Sequence, residues 1–169
     1  DIPECIYAVA GEGIAAIDTE NGWVGSLTEL SCEDGYWLEN TCDDFEWCYS
    51  GVECSDEYVH SLHLGNNLIS YTLSDCGNID EVLPDDVEEC IYAIAGEGVA
   101  ALSTDSVWVG SLSELCPDEG YWFVNICDEI TFTYDEPSGL IRKRVLFSQA
   151  PFLYSQSSRQ AFYFIKDIE

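Results

Sequence analysis

Residues 4–43, ECIYAVAGEGIAAIDTENGWVGSLTELSCEDGYWLENTCD, return as residues 89–128, ECIYAIAGEGVAALSTDSVWVGSLSELCPDEGYWFVNICD. The offset is a constant 85 residues, and 25 of the 42 positions starting at Glu4 and Glu89 are identical. Most of the differences keep the side-chain class, as in Val9/Ile94, Ile14/Val99, Thr28/Ser113 and Leu38/Phe123. A tandem repeat of this fidelity means a chain built from copies of one small module, so its motifs read as architecture before they read as chemistry.

Within each copy the apolar runs are short and bounded by turn residues, the signature of strands. Residues 5–10, 14–18, 23–27 and 35–38 read as four strands of the first copy. The Gly11-Glu12-Gly13 between the first two reads as a hairpin or bulge, where glycine permits positive φ. A phosphate cradle would need further glycines and a helix start after the strand, and neither follows. Between the copies, residues 59–73 supply two more strands with a turn at Gly65-Asn66-Asn67. Residues 78–89 read as a short helix with Ile79, Val82 and Leu83 on one face, broken at Pro84. Residues 130–134 alternate as a closing strand. The expected fold is mainly β with short helices: two tandem small β modules followed by a C-terminal strand-rich extension.

The second module (59–134) therefore has opening strands, a helix and the repeat core. The first (1–50) has the core alone, and an acidic linker (51–58) joins the two. A sheet lacking a strand and a cover leaves an edge and an apolar face that favour association. The extension, 135–169, contains strand-like runs at 140–147, 150–154 and 160–165, and it suggests strand addition to the incomplete module of a neighbour. Such head-to-tail joining propagates a fibre when it does not close into a ring.

Charge sharpens that expectation. Residues 1–137 hold 31 acidic side chains and no Lys or Arg, whereas residues 138–169 hold five basic and two acidic ones. All cations therefore sit in the extension, at Arg142, Lys143, Arg144, Arg159 and Lys166. These residues, with Phe162 and Phe164, are the candidates for assembly contacts with an acidic body. The body itself should repel nucleic acid and anionic membranes. No apolar run approaches the 18 residues of a spanning helix, so no membrane insertion is expected. The chain starts without Met, which points to a processed product or a piece of something longer.

Nine cysteines in 169 residues point to an oxidising, extracellular or cell-surface setting. Spacing suggests Cys32–Cys42 and Cys116–Cys127 as staples across each GYW strand, Cys76–Cys90 around the short helix, and Cys48–Cys54 around a small loop. Cys5 is then left unpaired, or available to a second chain. No C-x-x-C knuckle or His-Cys spacing favours zinc. Calcium remains a weak reading of the acidic cluster at 43–58, because the regular EF-hand spacing is absent. His60 and His63 lack partners at ligand spacing and read as packing or surface residues. With both histidines in one strand region, no nucleophile–base arrangement forms and no enzyme is expected.

The ordered set GEG-(V/I)-AA, WVGSL and GYW-(F/L), preceded by NLISY and IDEVLPDDVE, resembles modules near the C-termini of large secreted bacterial proteins, many of them marine or freshwater. The tail phrase YSQSSRQAFYFIKDIE looks like the opening of the β domain that follows such modules. The cysteine-rich version here departs from the usual cysteine-poor ones. The resemblance implies an extracellular, surface-associated role and carries no catalytic residues with it.

Two functions fit these observations. The first is a structural, self-assembling subunit of an extracellular bacterial fibre. The second is a carbohydrate- or calcium-binding module of a larger adhesin, with Trp23, Trp37, Trp108 or Trp122 as a glycan platform. Repeated Trp and Tyr in a small β domain are more often core than platform, because aromatics supply most of its buried area. Asn40 and Asn125, each followed two residues later by Cys, are weak glycosylation sequons.

Overall fold

A computed structural model describes residues 4–43, 55, 57–105 and 107–137. The first copy forms β1 (Ile6–Gly11), β2 (Ile14–Thr19), β3 (Gly22–Gly25) and β4 (Trp37–Asn40). Then come β5 (His60–Leu62), β6 (Gly65–Ser70), β7 (Gly77–Asn78), α1 (Ile79–Val82) and α2 (Asp85–Glu88). The second copy follows as β8 (Ile91–Gly96), β9 (Val99–Thr104), β10 (Val107–Gly110), β11 (Glu114–Leu115) and β12 (Gly120–Asn125), closed by β13 (Ile130–Phe132). The described residues are mainly β, with two one-turn helices.

Each copy folds the same antiparallel sheet, because each carries the same turns. Glu12-Gly13 and Glu97-Gly98 are two-residue hairpin loops in which the glycine takes φ +70°. Gly25 and Gly110 of the WVGSL motif lie so close to β2 and β9 that a Cβ would overlap the carbonyl oxygen of Ala15 or Ala100. The next serine completes the joint: Ser26 Oγ accepts from the Ala15 N–H at 3.3 Å, and Ser111 Oγ from the Ala100 N–H at 3.2 Å. The GYW tyrosine closes the copy. Tyr36 Oη accepts the Ser31 N–H and donates to Asp34; Tyr121 Oη accepts the Cys116 N–H and donates to Glu119.

Among the described residues the sheets differ at one edge. The first has the order β3-β2-β1-β4, and the second β10-β9-β8-β12-β6, so β6 is a fifth strand beside β12. The turn before β6 falls at His63-Leu64, and Gly65, Asn66 and Asn67 lie within the strand rather than in a turn. Asn67 explains the shift: its buried side chain accepts the His63 N–H and donates to the His63 and Gly65 carbonyls, replacing the backbone bonds of a tighter turn. Pro84 separates α1 from α2 and stands at the α2 N-cap, as proline chemistry dictates.

The main core belongs to the second copy. Ile94, Ala101, Leu115, Tyr121 and Phe123 pack with Ile79, Val82, Leu83 and Val87 of the helical turns, and with Leu62, Phe132 and Tyr134. In the first copy only Ile6, Val9 and Ala16 are fully buried among the described apolar residues.

The disulfides correct the spacing-based pairs. Cys5 is bonded to Cys42, Cys90 to Cys127 and Cys76 to Cys116, and Cys32 is also oxidised in a disulfide. The pairs Cys116–Cys127 and Cys76–Cys90 are not formed, Cys42 does not join Cys32, and Cys5 is not free. The reason is strand geometry. A six-residue strand such as β12 separates its ends by roughly 17 Å at about 3.3 Å per residue, far beyond disulfide reach. Antiparallel pairing instead brings the residue before β1 beside the residue after β4, where the Thr41 N–H donates to the Cys5 carbonyl. Cys48 and Cys54 lie outside the described residues, as do Arg142, Lys143, Arg144, Arg159, Phe162, Phe164 and Lys166.

Candidate assembly site at the seam between the copies

The two copies meet along β6. Asp34 forms an antiparallel bridge with Ile69, the Gly35 N–H donates to the Leu68 carbonyl at 3.1 Å, and the Ser70 N–H donates to the Glu33 carbonyl at 3.0 Å. The Ser70 hydroxyl adds a short bond to the Cys32 carbonyl. Leu68, 3% exposed, lies against Gly35 and is enclosed at this seam.

Glu12, from the GEG hairpin, spans the seam with both oxygens. Oε2 accepts the Leu68 N–H at 3.0 Å, and Oε1 lies 2.5 Å from His63 Nε2. His63 Nδ1 meets the Leu64 carbonyl at 2.8 Å. With an acceptor at each ring nitrogen the imidazolium is favoured. The Leu64 carbonyl first, and then the Glu12 carboxylate, raise the His63 pKa above its usual value. The ion pair is largely solvent-exposed, so its contribution is small and screened by salt.

His60 has the opposite setting. It is 1% exposed, among Tyr58, Phe132 and Tyr134 with ring centroids 4.9, 5.4 and 5.0 Å away. Burial lowers its pKa to about 4, against the weaker pull of the Glu33 charge, and Nε2 has no hydrogen-bond partner. A buried neutral imidazole in an aromatic cage is a packing residue. Neither histidine is placed for nucleophilic chemistry with the other.

The tryptophans do not make one platform. Trp23 lies opposite Asp18 and Trp108 opposite Ser103, on the face that carries Ala16 and Ala101. Trp37 and Trp122 lie opposite Ala10 and Ala95, on the other face. Trp108 is half-buried and its indole N–H donates to Glu88 of α2 at 2.5 Å, whereas Trp23 is 38% exposed. Asn125 is enclosed, with Nδ2 donating to the Leu62, His63 and Asp128 carbonyls, which leaves no amide for a glycan in the folded chain. Among the described residues no group of three or more His, Cys, Asp or Glu is placed to hold a metal ion.

The seam was not visible to sequence reasoning, which treated Glu12 as a turn residue and Gly35 as the start of a strand. One signal for the disulfides was legible: Cys5–Cys42 and Cys90–Cys127 are cysteine pairs separated by 37 residues that recur at the repeat offset. Compared with known protein families, curated proteins and solved structures, the chain matches none.

Proposed function

We propose that this chain is a structural subunit of an extracellular fibre or surface assembly. In it, the C-terminal extension of one subunit adds a strand to the first module of the next. The observation that carries this reading is the unequal cover of two nearly identical sheets. Leu115 is fully enclosed, while its counterpart Leu30 is 50% exposed, and Trp108 is bonded to α2 while Trp23 is solvent-facing. Apolar side chains exposed at one end of a sheet, where the other copy encloses them, favour association.

Two further facts support it. The extension holds every Lys and Arg, opposite a body with a formal charge of −31, so encounter between subunits is electrostatically favoured. Three disulfides within the described residues suit an oxidising, extracellular setting, and no described helix is long and apolar enough to cross a membrane.

Electron microscopy of the full chain beside a chain lacking residues 140–169 tests the proposal. Regular fibres from the full chain and dispersed particles from the truncated one are expected. Fibres that persist without the extension would exclude it as the connector.

A further inference from the structure

Of the six asparagines in the chain, Asn21 alone is followed by glycine. An asparagine in that setting can react with its own backbone. The amide nitrogen of the next residue loses its proton to base and attacks the side-chain carbonyl carbon. A C–N bond forms, ammonia leaves, and a cyclic succinimide results. Water then adds to either ring carbonyl and opens the ring to an aspartyl or an isoaspartyl residue. A side chain on the next residue obstructs the attack, and glycine has none.

The fold leaves Asn21 open to this chemistry. Glu20 and Asn21 form the loop between β2 and β3, where Thr19 stands opposite Gly22. Glu20, Asn21 and Gly22 are all exposed. Gly22 has φ +97°, and a Cβ there would meet nothing within 4 Å. The Asn21 N–H donates to Thr19 Oγ1 at 3.3 Å and the Thr19 hydroxyl to the Gly22 carbonyl at 2.7 Å, while the Asn21 side chain bonds to no described residue. At an exposed hairpin tip the backbone opens at the least cost.

The other asparagines are held. The nitrogens that follow Asn40, Asn67, Asn78 and Asn125 belong to Thr41, Leu68, Ile79 and Ile126, and donate to Cys5, Glu12, Ser113 and Cys90. Asn66 lies inside β6 and is followed by Asn67. Aspartate followed by glycine forms the same ring with loss of water, and the chain has one such pair, Asp34-Gly35. There the Gly35 N–H donates to the Leu68 carbonyl at 3.1 Å and Asp34 accepts from Tyr36 Oη, so the seam protects it. In the second copy Ser106 and Val107 stand in the places of Asn21 and Gly22.

We propose that Asn21-Gly22 is a site of spontaneous covalent modification, at which the chain converts its own amide to an aspartyl or isoaspartyl carboxylate and loosens β3 of the first copy alone. The new charge stands beside Glu20, and the isoaspartyl form adds a main-chain carbon where Thr19 meets Gly22. This site does not depend on the fibre reading.

The test ages the folded full chain in mildly alkaline buffer and maps it by peptic digestion at acid pH with mass spectrometry. Each converted asparagine gains about 1 Da as NH2 gives way to OH, and isoaspartate is counted with an isoaspartyl methyltransferase. Asn21 should convert at least tenfold faster than any other asparagine, at a rate that rises with pH. In the reduced, denatured chain Asp34 should gain isoaspartate at least tenfold faster than in the folded one, and Asn21 should change by less. An Asn21 that reacts when denatured but stays amidated when folded overturns the proposal. So does an isoaspartyl signal of equal size in Asn21→Gln, whose longer side chain cannot close the same ring. Hydrogen exchange at residues 22–25 should be several-fold faster in the aged chain than in the fresh one, and equal rates would overturn the loosening of β3.

Discussion

Leu30 and Leu115 hold the same place in the repeat, yet Leu30 is 50% exposed and Leu115 is fully buried. Around them the sheets are alike: the same hairpin turns, the same glycine-serine joint and the same tyrosine closure. What differs lies over the sheet. Tyr71, Tyr134, the two helical turns and the β5–β13 pair pack into the core of the second copy, whereas among the described apolar residues of the first only Ile6, Val9 and Ala16 are buried. The module is therefore a sheet that its own sequence can fold, plus a cover that must come from elsewhere in the chain or from another chain.

The largest test of this comparison uses the matched disulfides. Each of Cys5–Cys42 and Cys90–Cys127 closes a loop of equal length, with Cα separations of 5.2 and 5.3 Å. Chain entropy assigns each about 4 kcal/mol. Cys90→Ser with Cys127→Ser, and Cys5→Ser with Cys42→Ser, should therefore cost similar amounts in denaturant unfolding. A cost confined to the second copy would mean that the first gains nothing from its staple.

Next comes the cover. Leu115→Ala should lower stability by about 2–5 kcal/mol, the range for enclosed leucines, and Leu30→Ala by no more than about 0.5 kcal/mol. Thermal unfolding of the dispersed chain decides this. Equal losses would mean that Leu30 is enclosed after all.

Acid should separate the copies by a smaller amount. His60, under the cover of the second copy, is held at a pKa of about 4 by burial. The unfolded chain takes up its proton near pH 6.5 and the folded chain only near pH 4. Stability therefore falls as pH drops through that window, by at most about 1.4 kcal/mol per pH unit. His60→Leu should flatten the slope measured by denaturant titration; an unchanged slope would assign it to other groups.

The smallest effect is at the seam. Because the His63 pKa is raised, its ion pair with Glu12 contributes fully below the unfolded value and is lost as pH climbs through the folded one. Glu12→Gln should lower the His63 titration midpoint followed by NMR and cost under about 1 kcal/mol. A midpoint that does not move would leave the Leu64 carbonyl as the dominant influence on His63.

Much of the fold was legible because it is local. The apolar runs that became β1, β2 and β3, the hairpin at Gly13 and the break at Pro84 all follow from side-chain period and turn chemistry within a few residues. β6 began earlier than expected because Asn67, which reads as a turn former, is buried with its side chain bonded back to His63 and Gly65. The cysteine pairs were misassigned because nearness along the chain was taken for nearness in space. An extended strand carries its ends apart, and an antiparallel partner brings distant residues together.

By itself, the sequence determined that there are two copies of one module, what turns and joints each must make, and that positive charge is confined to the C-terminal extension. These properties are carried by identity, spacing and charge along the chain. The tertiary structure alone decided that β6 is shared across a seam, that Glu12 and Gly35 are seam residues, and that Leu115 is enclosed while its counterpart Leu30 is half-exposed. Those outcomes depend on which strands become neighbours, and that is settled by burial and hydrogen bonding between residues far apart in the chain.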